Sequence, residues 1–188
     1  MKISVASHNN EKNPNGFENY DVDFADIPEI VKSGCCYSAC KFKDNYRKDN
    51  NYDGNEYVLI LDIDDGCNIE QAKEIFKQYE HFIITTRSHQ KEKNEIVCDR
   101  FRIFIELEDV INCSDEREKF INNIMNRYPF CDSSCRNRSR FFYSSPQDAQ
   151  VFYNKGRKLQ IITQINDFKA PTKQKVIQSN TNQQNSNN

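Results

Sequence analysis

The chain has 188 residues, and its 26 Lys and Arg against 28 Asp and Glu give a formal charge of −2. One compact domain of usual size fits that length, and no global basic field advertises nucleic acid. Apolar residues are 37% of the chain, with 13 Phe and 9 Tyr, which supplies a core; a mean hydropathy of −0.87 leaves a good part of the chain outside it. No apolar run approaches the roughly 20 residues of a membrane span. The opening Met1-Lys2-Ile3-Ser4-Val5 carries no secretory stretch, so an intracellular, soluble protein with no membrane partner is expected.

The eight cysteines then read as reduced, half-buried residues. Cys36-x3-Cys40 and Cys131-x3-Cys135 could together offer four thiolates to a structural zinc. The spacing is loose for ligand pairs and the two pairs lie far apart, so no structural zinc is expected.

Composition divides the chain into a polar, Asn-rich segment (1–20), a patterned domain (21–168) and a Gln/Asn-rich tail (169–188) that cannot offset its ordering entropy and should be disordered. Within the domain a helix is expected from Ile27 to Ser33, followed by a flank to the sheet. Tyr57 to Asp64 is a β-rich run closed by an Asp65-Gly66 turn. Asn68 and Gln71 form a capping-box pair ahead of a helix striped by Ile69, Ala72, Ile75, Phe76 and Tyr79. Phe82 to Thr86 is a second strand, 90–95 a polar turn, and Phe101 to Leu107 a third strand. Ser114 is placed as the cap of a second helix, with Asp115 and Glu116 in its first turn and a stripe of Phe120, Ile121, Ile124, Met125 and Tyr128. Arg140 to Tyr143 is the expected fourth strand, and Leu159 to Ile162 a last candidate. The order is β-α-β-β-α-β, an α+β, RRM-like core with a four-stranded antiparallel sheet and both helices on one face.

Strand alternation sorts the side chains. Leu59, Leu61 and Ile63 share the helix-covered face with Phe101, Ile103, Ile105 and Leu107. Asp62 and Asp64 point the other way, and Arg100 and Arg102 join them on an open face, with Thr85, Arg87 and His89 running toward its end. A lone Asp-x-Asp is as readily a turn. Here four apolar residues lead straight into it, and two carboxylates about 7 Å apart repel each other unless a cation is present. Such a pair suits hard divalent ions, and guanidinium forks suit phosphate oxygens. Asp132 is the candidate third carboxylate; its plainer reading is a helix-ending turn after Pro129.

The strand Leu59-Ile60-Leu61-Asp62-Ile63-Asp64, then Thr85-Thr86-Arg87-Ser88-His89, then Arg100-Phe101-Arg102, and finally Cys131-Asp132 with Ser139-Arg140-Phe141-Phe142-Tyr143 together resemble the archaeo-eukaryotic primase superfamily, in its primase-polymerase branch of mobile elements. The resemblance covers about residues 30–165, and Arg87 stands where that family favours a small residue. It implies template-directed nucleotidyl transfer from NTP or dNTP to a 3′-hydroxyl on single-stranded DNA. Asp62, Asp64 and Asp132 would hold two Mg²⁺ or Mn²⁺ ions, and His89, Ser88, Lys91, Arg100 and Arg102 would contact the incoming nucleotide. Arg136, Arg138 and Arg140 begin a basic strip for template phosphates. The chain carries no P-loop, so any helicase would be a partner in trans. Two rivals remain: a haloacid-dehalogenase-like phosphatase with Asp62 as nucleophile, and a non-catalytic RRM-like nucleic-acid-binding accessory. Asp62→Ala is expected to remove activity and leave the fold intact.

Overall fold

A computed structural model describes residues 1–10, 12–93 and 95–162. The expected tail at 169–188, and the last residues of the patterned domain, lie outside the described residues. In chain order the elements are β1 (Lys2–Ala6), β2 (Phe17–Asp21), α1 (Ile27–Lys32), β3 (Tyr37–Ser38), β4 (Glu56–Ile63), α2 (Ile69–Phe76), β5 (His81–Thr85), β6 (Phe101–Ile111), α3 (Ser114–Arg127) and β7 (Val151–Asn154). A 3₁₀ turn at Phe24–Asp26 leads into α1, and another spans Ser133–Arg136.

The main sheet has the order β4-β6-β5-β7, antiparallel throughout. Its register sets Leu61 opposite Ile103 and Ile63 opposite Phe101, so the apolar set named above shares one face. Phe76 of α2 packs on His81 and on Tyr128 just beyond α3, which lays the helices over that face. The Asn68–Gln71 capping box forms: Gln71 N–H donates to Asn68 Oδ1 at 2.8 Å and Asn68 N–H to Gln71 Oε1 at 3.0 Å. Gly66 closes β4 at φ +74°, a left-handed turn that glycine adopts without strain.

Four expectations are corrected. Arg140 to Tyr143 is not the fourth strand: only Phe142 pairs, in a single bridge to Tyr37, whose ring it stacks against at 5.7 Å. The fourth strand is β7, hydrogen-bonded to the far edge at β5. Leu159 likewise makes one isolated bridge, to Leu107, and begins no strand. Ser114 is the first helical residue of α3 and Cys113 holds the cap position; Glu116 reaches back to the Asn112 amide at 3.3 Å instead.

The fourth correction concerns the face that alternation leaves open. It is covered. Residues 1–20 are not separate from the fold: β1 pairs with β2 and β3 in a second sheet of order β2-β1-β3. Tyr37 from that layer meets Phe104 at 6.1 Å, and Phe24 meets Phe82 at 5.2 Å. The reason is visible in β4, where Val58 and Ile60 are as apolar as Leu59 and Leu61, and all four are buried. A strand apolar at both parities needs cover on both faces. At one end of that face Asp62 and Arg102 stand opposite each other in place of apolar residues.

Candidate active site

Two segments bring carboxylates to this end of the sheet. Asp62 lies in β4, Asp64 two residues on, and Asp132 after α3, where its backbone N–H donates to the Asp62 carbonyl at 2.8 Å. That one backbone bond fixes the two acids side by side.

Each acid meets a cation. Asp62 is buried, and its Oδ1 accepts from Arg102 Nε at 3.1 Å while Oδ2 accepts from Arg140 Nη2 at 2.8 Å. The same Arg140 nitrogen reaches Asp132 Oδ2 at 3.3 Å and so bridges the two carboxylates. Asp64 is nearly half exposed and pairs with Lys93 at 2.8 Å. Asp132 also performs the plain turn role: Oδ1 accepts from the Ser134 amide at 2.9 Å and Oδ2 from its hydroxyl at 2.6 Å. Burial works to raise the Asp132 pKa, but the Ser134 bonds and the Arg140 and Lys93 charges outweigh it and hold it below the usual carboxylate value.

Arg102 is the fixed member. Its Nη1 donates to the Tyr37 hydroxyl at 2.9 Å and to the Tyr143 carbonyl at 2.6 Å. Burial works against its charge, yet Tyr37 and Asp62 more than compensate and raise its pKa. Burial pushes the Tyr37 hydroxyl up to about 12, so it stays a neutral phenol.

Arg100 does something else. It is buried, and its two terminal nitrogens donate to the carbonyls of Ser88 (2.9 Å), Lys91 (2.6 Å), Ile96 (2.9 Å) and Lys93 (3.5 Å). Its fork ties down the loop after β5 rather than facing the carboxylates. That loop carries Ser88, His89, Lys91 and Lys93. The Arg100 amide donates to His89 Nδ1 at 3.3 Å, so that nitrogen is the acceptor and the proton sits on Nε2. Asp99 lies 3.8 Å from Nδ1 and accepts at 2.9 Å from the Ile69 amide that opens α2. Lys91 is exposed, and Lys93 links the loop to the acids.

The basic strip divides. Arg136 turns to Asn122 at 3.1 Å and Arg138 to Glu118 at 3.1 Å, both on α3, whereas Arg140 enters the acid cluster. The paired cysteines also part: Cys36 and Cys40 lie in a small core with Ala6, Phe17 and Phe42, and Cys131 and Cys135 in the main one. Sequence reasoning missed Lys93, Ser134 and Tyr37, and it did not foresee that Arg140 bridges two acids. Alternation signals nothing about a loop lysine or a tyrosine from another layer.

As a donor set, three carboxylates without a thiol or imidazole suit Mg²⁺ or Mn²⁺. As arranged, Arg140 and Lys93 pair with these carboxylates, and no group of three metal-ligating side chains is assembled among the described residues. The donors fit by chemistry, and side-chain cations pair with them. No helix among the described residues is long and apolar enough to cross a membrane.

No family model matches the chain, and no curated protein does. Among solved structures, the AEP domain of a cyanophage primase-polymerase is similar to it, with a TM-score of 0.46 and 13% sequence identity, over 85% of this chain and 83% of that one.

Proposed function

We propose that the chain is a metal-dependent nucleotidyltransferase of the primase-polymerase kind, adding NTP or dNTP to a 3′-hydroxyl on single-stranded DNA. The observation that carries this reading is that Asp62 and Asp132, from two segments, lie side by side at one end of the sheet and share Arg140, with Asp64 two residues on from Asp62. Asp62, Asp64 and Asp132 would hold Mg²⁺ or Mn²⁺, which when bound lowers the pKa of an attacking hydroxyl and neutralises phosphate charge.

The chain's own residues bind and orient. Arg102, anchored by Tyr37 and Tyr143, holds the Asp62 carboxylate in place. His89 presents an Nε2–H donor suited to a phosphate oxygen, and Arg100 holds its loop in place. Ser88 and Lys91 on that loop complete the nucleotide contacts, and Arg136 and Arg138 offer template phosphates their charge.

The phosphatase reading loses support, because that chemistry belongs to a doubly wound parallel sheet and this sheet is antiparallel throughout. Asp62 also has both oxygens in ion pairs and none presented for attack. The test is synthesis on single-stranded DNA with labelled NTPs and dNTPs and Mg²⁺ or Mn²⁺, comparing wild type with Asp62→Asn/Asp64→Asn. A metal-dependent ladder from wild type alone is expected. DNA binding without any synthesis would replace this reading with the accessory one.

A further inference from the structure

We propose that Arg140 is a resident counter-ion of the acid site, which a divalent cation must displace to bind; this rests on the metal-dependent reading above. The two arginines on Asp62 are not alike. Arg102 is buried and uses two nitrogens on three acceptors, two of which, Tyr37 Oη and Tyr143 O, are independent of the acids. Arg140 is 26% exposed and uses Nη2 alone, on Asp62 at 2.8 Å and Asp132 at 3.3 Å. Its Nε is buried with no hydrogen-bond partner. A buried donor left unpaired favours a conformation that returns it to water. Arg140 is thus the arginine that can leave, swinging off the Phe142 ring 5.0 Å away toward solvent.

Charge decides when it leaves. With Arg140 in place, Asp62 and Asp132 face two guanidinium groups and the set is neutral. With Arg140 gone, Arg102 alone opposes two carboxylates, and one negative charge remains. A divalent ion supplies that charge and brings coordination bonds that a guanidinium lacks. With the ion alone the set carries one excess positive charge, and with Arg140 as well it carries two, so the two cations oppose each other in one small space. The apparent affinity for the ion is therefore reduced by the fraction of molecules in which Arg140 is bound.

The experiment is Mn²⁺ titration by calorimetry and electron paramagnetic resonance, without nucleotide or DNA, on wild type, Arg140→Ala, Arg140→Lys and Arg138→Ala. If Arg140 occupies the site in about 90–99% of molecules, Arg140→Ala binds Mn²⁺ about ten- to a hundredfold more tightly. Arg140→Lys keeps the charge but loses the fork that spans two carboxylates, so it also binds more tightly than wild type. Arg138→Ala, which removes a neighbouring charge paired with Glu118, stays near wild type. Saturating Mn²⁺ raises the melting temperature of Arg140→Ala more than that of wild type. Equal affinity in wild type and Arg140→Ala overturns the displacement, as does an Arg140→Lys indistinguishable from wild type. Absence of Mn²⁺ binding in every protein overturns the metal-dependent reading and this proposal together. Tight binding in the stated order, without nucleotide synthesis, overturns nucleotidyl transfer and leaves the displacement standing.

Discussion

Arg117 joins the helical layer to the turn that delivers Asp132, and its replacement by methionine tests that joint. The guanidinium is buried on α3, with Nε donating to the equally buried Glu56 at 2.6 Å, Nη1 to the Arg136 carbonyl at 2.9 Å and Nη2 to the Cys135 carbonyl at 3.2 Å. Burial works against the Arg117 charge, and Glu56 is the largest of the neighbours that more than restore it, so the guanidinium stays charged. Methionine keeps most of the volume and leaves a carboxylate buried without a counter-charge, along with two carbonyls that lose a donor. Breaking one side of such a pair costs about 3–5 kcal/mol. For a chain of this size each kcal/mol moves Tm by about 2–4 °C, so Arg117→Met should lower Tm by about 6–20 °C. Adding Glu56→Gln removes the stranded charge, and the double variant should recover most of the loss. Urea and thermal melts of the four proteins of the cycle measure this. A loss below about 1 kcal/mol in Arg117→Met, or a double variant no more stable than the single, refutes the argument. Because Cys135 and Arg136 lie in the turn that Asp132 caps, the folded Arg117→Met protein should also bind Mn²⁺ more weakly than wild type.

Asp62→Ala is not the neutral probe that sequence suggests, since it strands Arg102 and Arg140 in a partly buried place; Asp62→Asn keeps the volume and should cost less stability while still losing activity, as paired melts and primer assays would show. Arg100→Ala releases four carbonyls of the His89 loop and should speed proteolytic cleavage between 88 and 98 well before the core unfolds; cleavage at the wild-type rate argues against the staple. Burial holds the His81 pKa below its ordinary value, despite the Tyr79 carbonyl 2.9 Å from Nδ1. Its folded pKa lies below the unfolded one, so its share of stability is full above about pH 6.5 and is lost as pH falls through the folded value. Urea midpoints at pH 7.5 and 5.5 should therefore separate in wild type and converge in His81→Gln, because the low pKa of Asp132 acts only at more acidic pH. Among the thiols, burial raises Cys36, Cys67 and Cys135 to about 11 and Cys40 to about 12, so in the folded protein the exposed Cys113 should react first with a thiol reagent.

Local chemistry and periodicity made much of the scaffold legible. The Asn68–Gln71 box, the Gly66 turn and the stripe of α2 depend on residues within a few positions of each other, and they form where the sequence places them. The faces of β4 and β6 follow from a period of two, which also puts Asp62 and Arg102 on one face before any contact is known; the structure sets them opposite each other. The aromatic run Phe141-Phe142-Tyr143 misleads for a non-local reason: its rings pack on Tyr37 and under Arg47, so it lies against the N-terminal layer instead of in the sheet. Val151–Asn154, less apolar in pattern, becomes a strand because the β5 edge is free to pair.

The sequence by itself determined the α+β order, the apolar faces and which acids and cations could share an end of the sheet, because each of those depends on neighbours in the chain. Tertiary structure alone decided how they are used. It covered the face that alternation leaves open, turned Arg100 away to hold a loop, brought Lys93 to Asp64, and set Arg140 between Asp62 and Asp132. The physical reason is that an ion pair between residues 78 positions apart has no periodicity to announce it; it exists only where packing brings a carboxylate and a guanidinium out of water together.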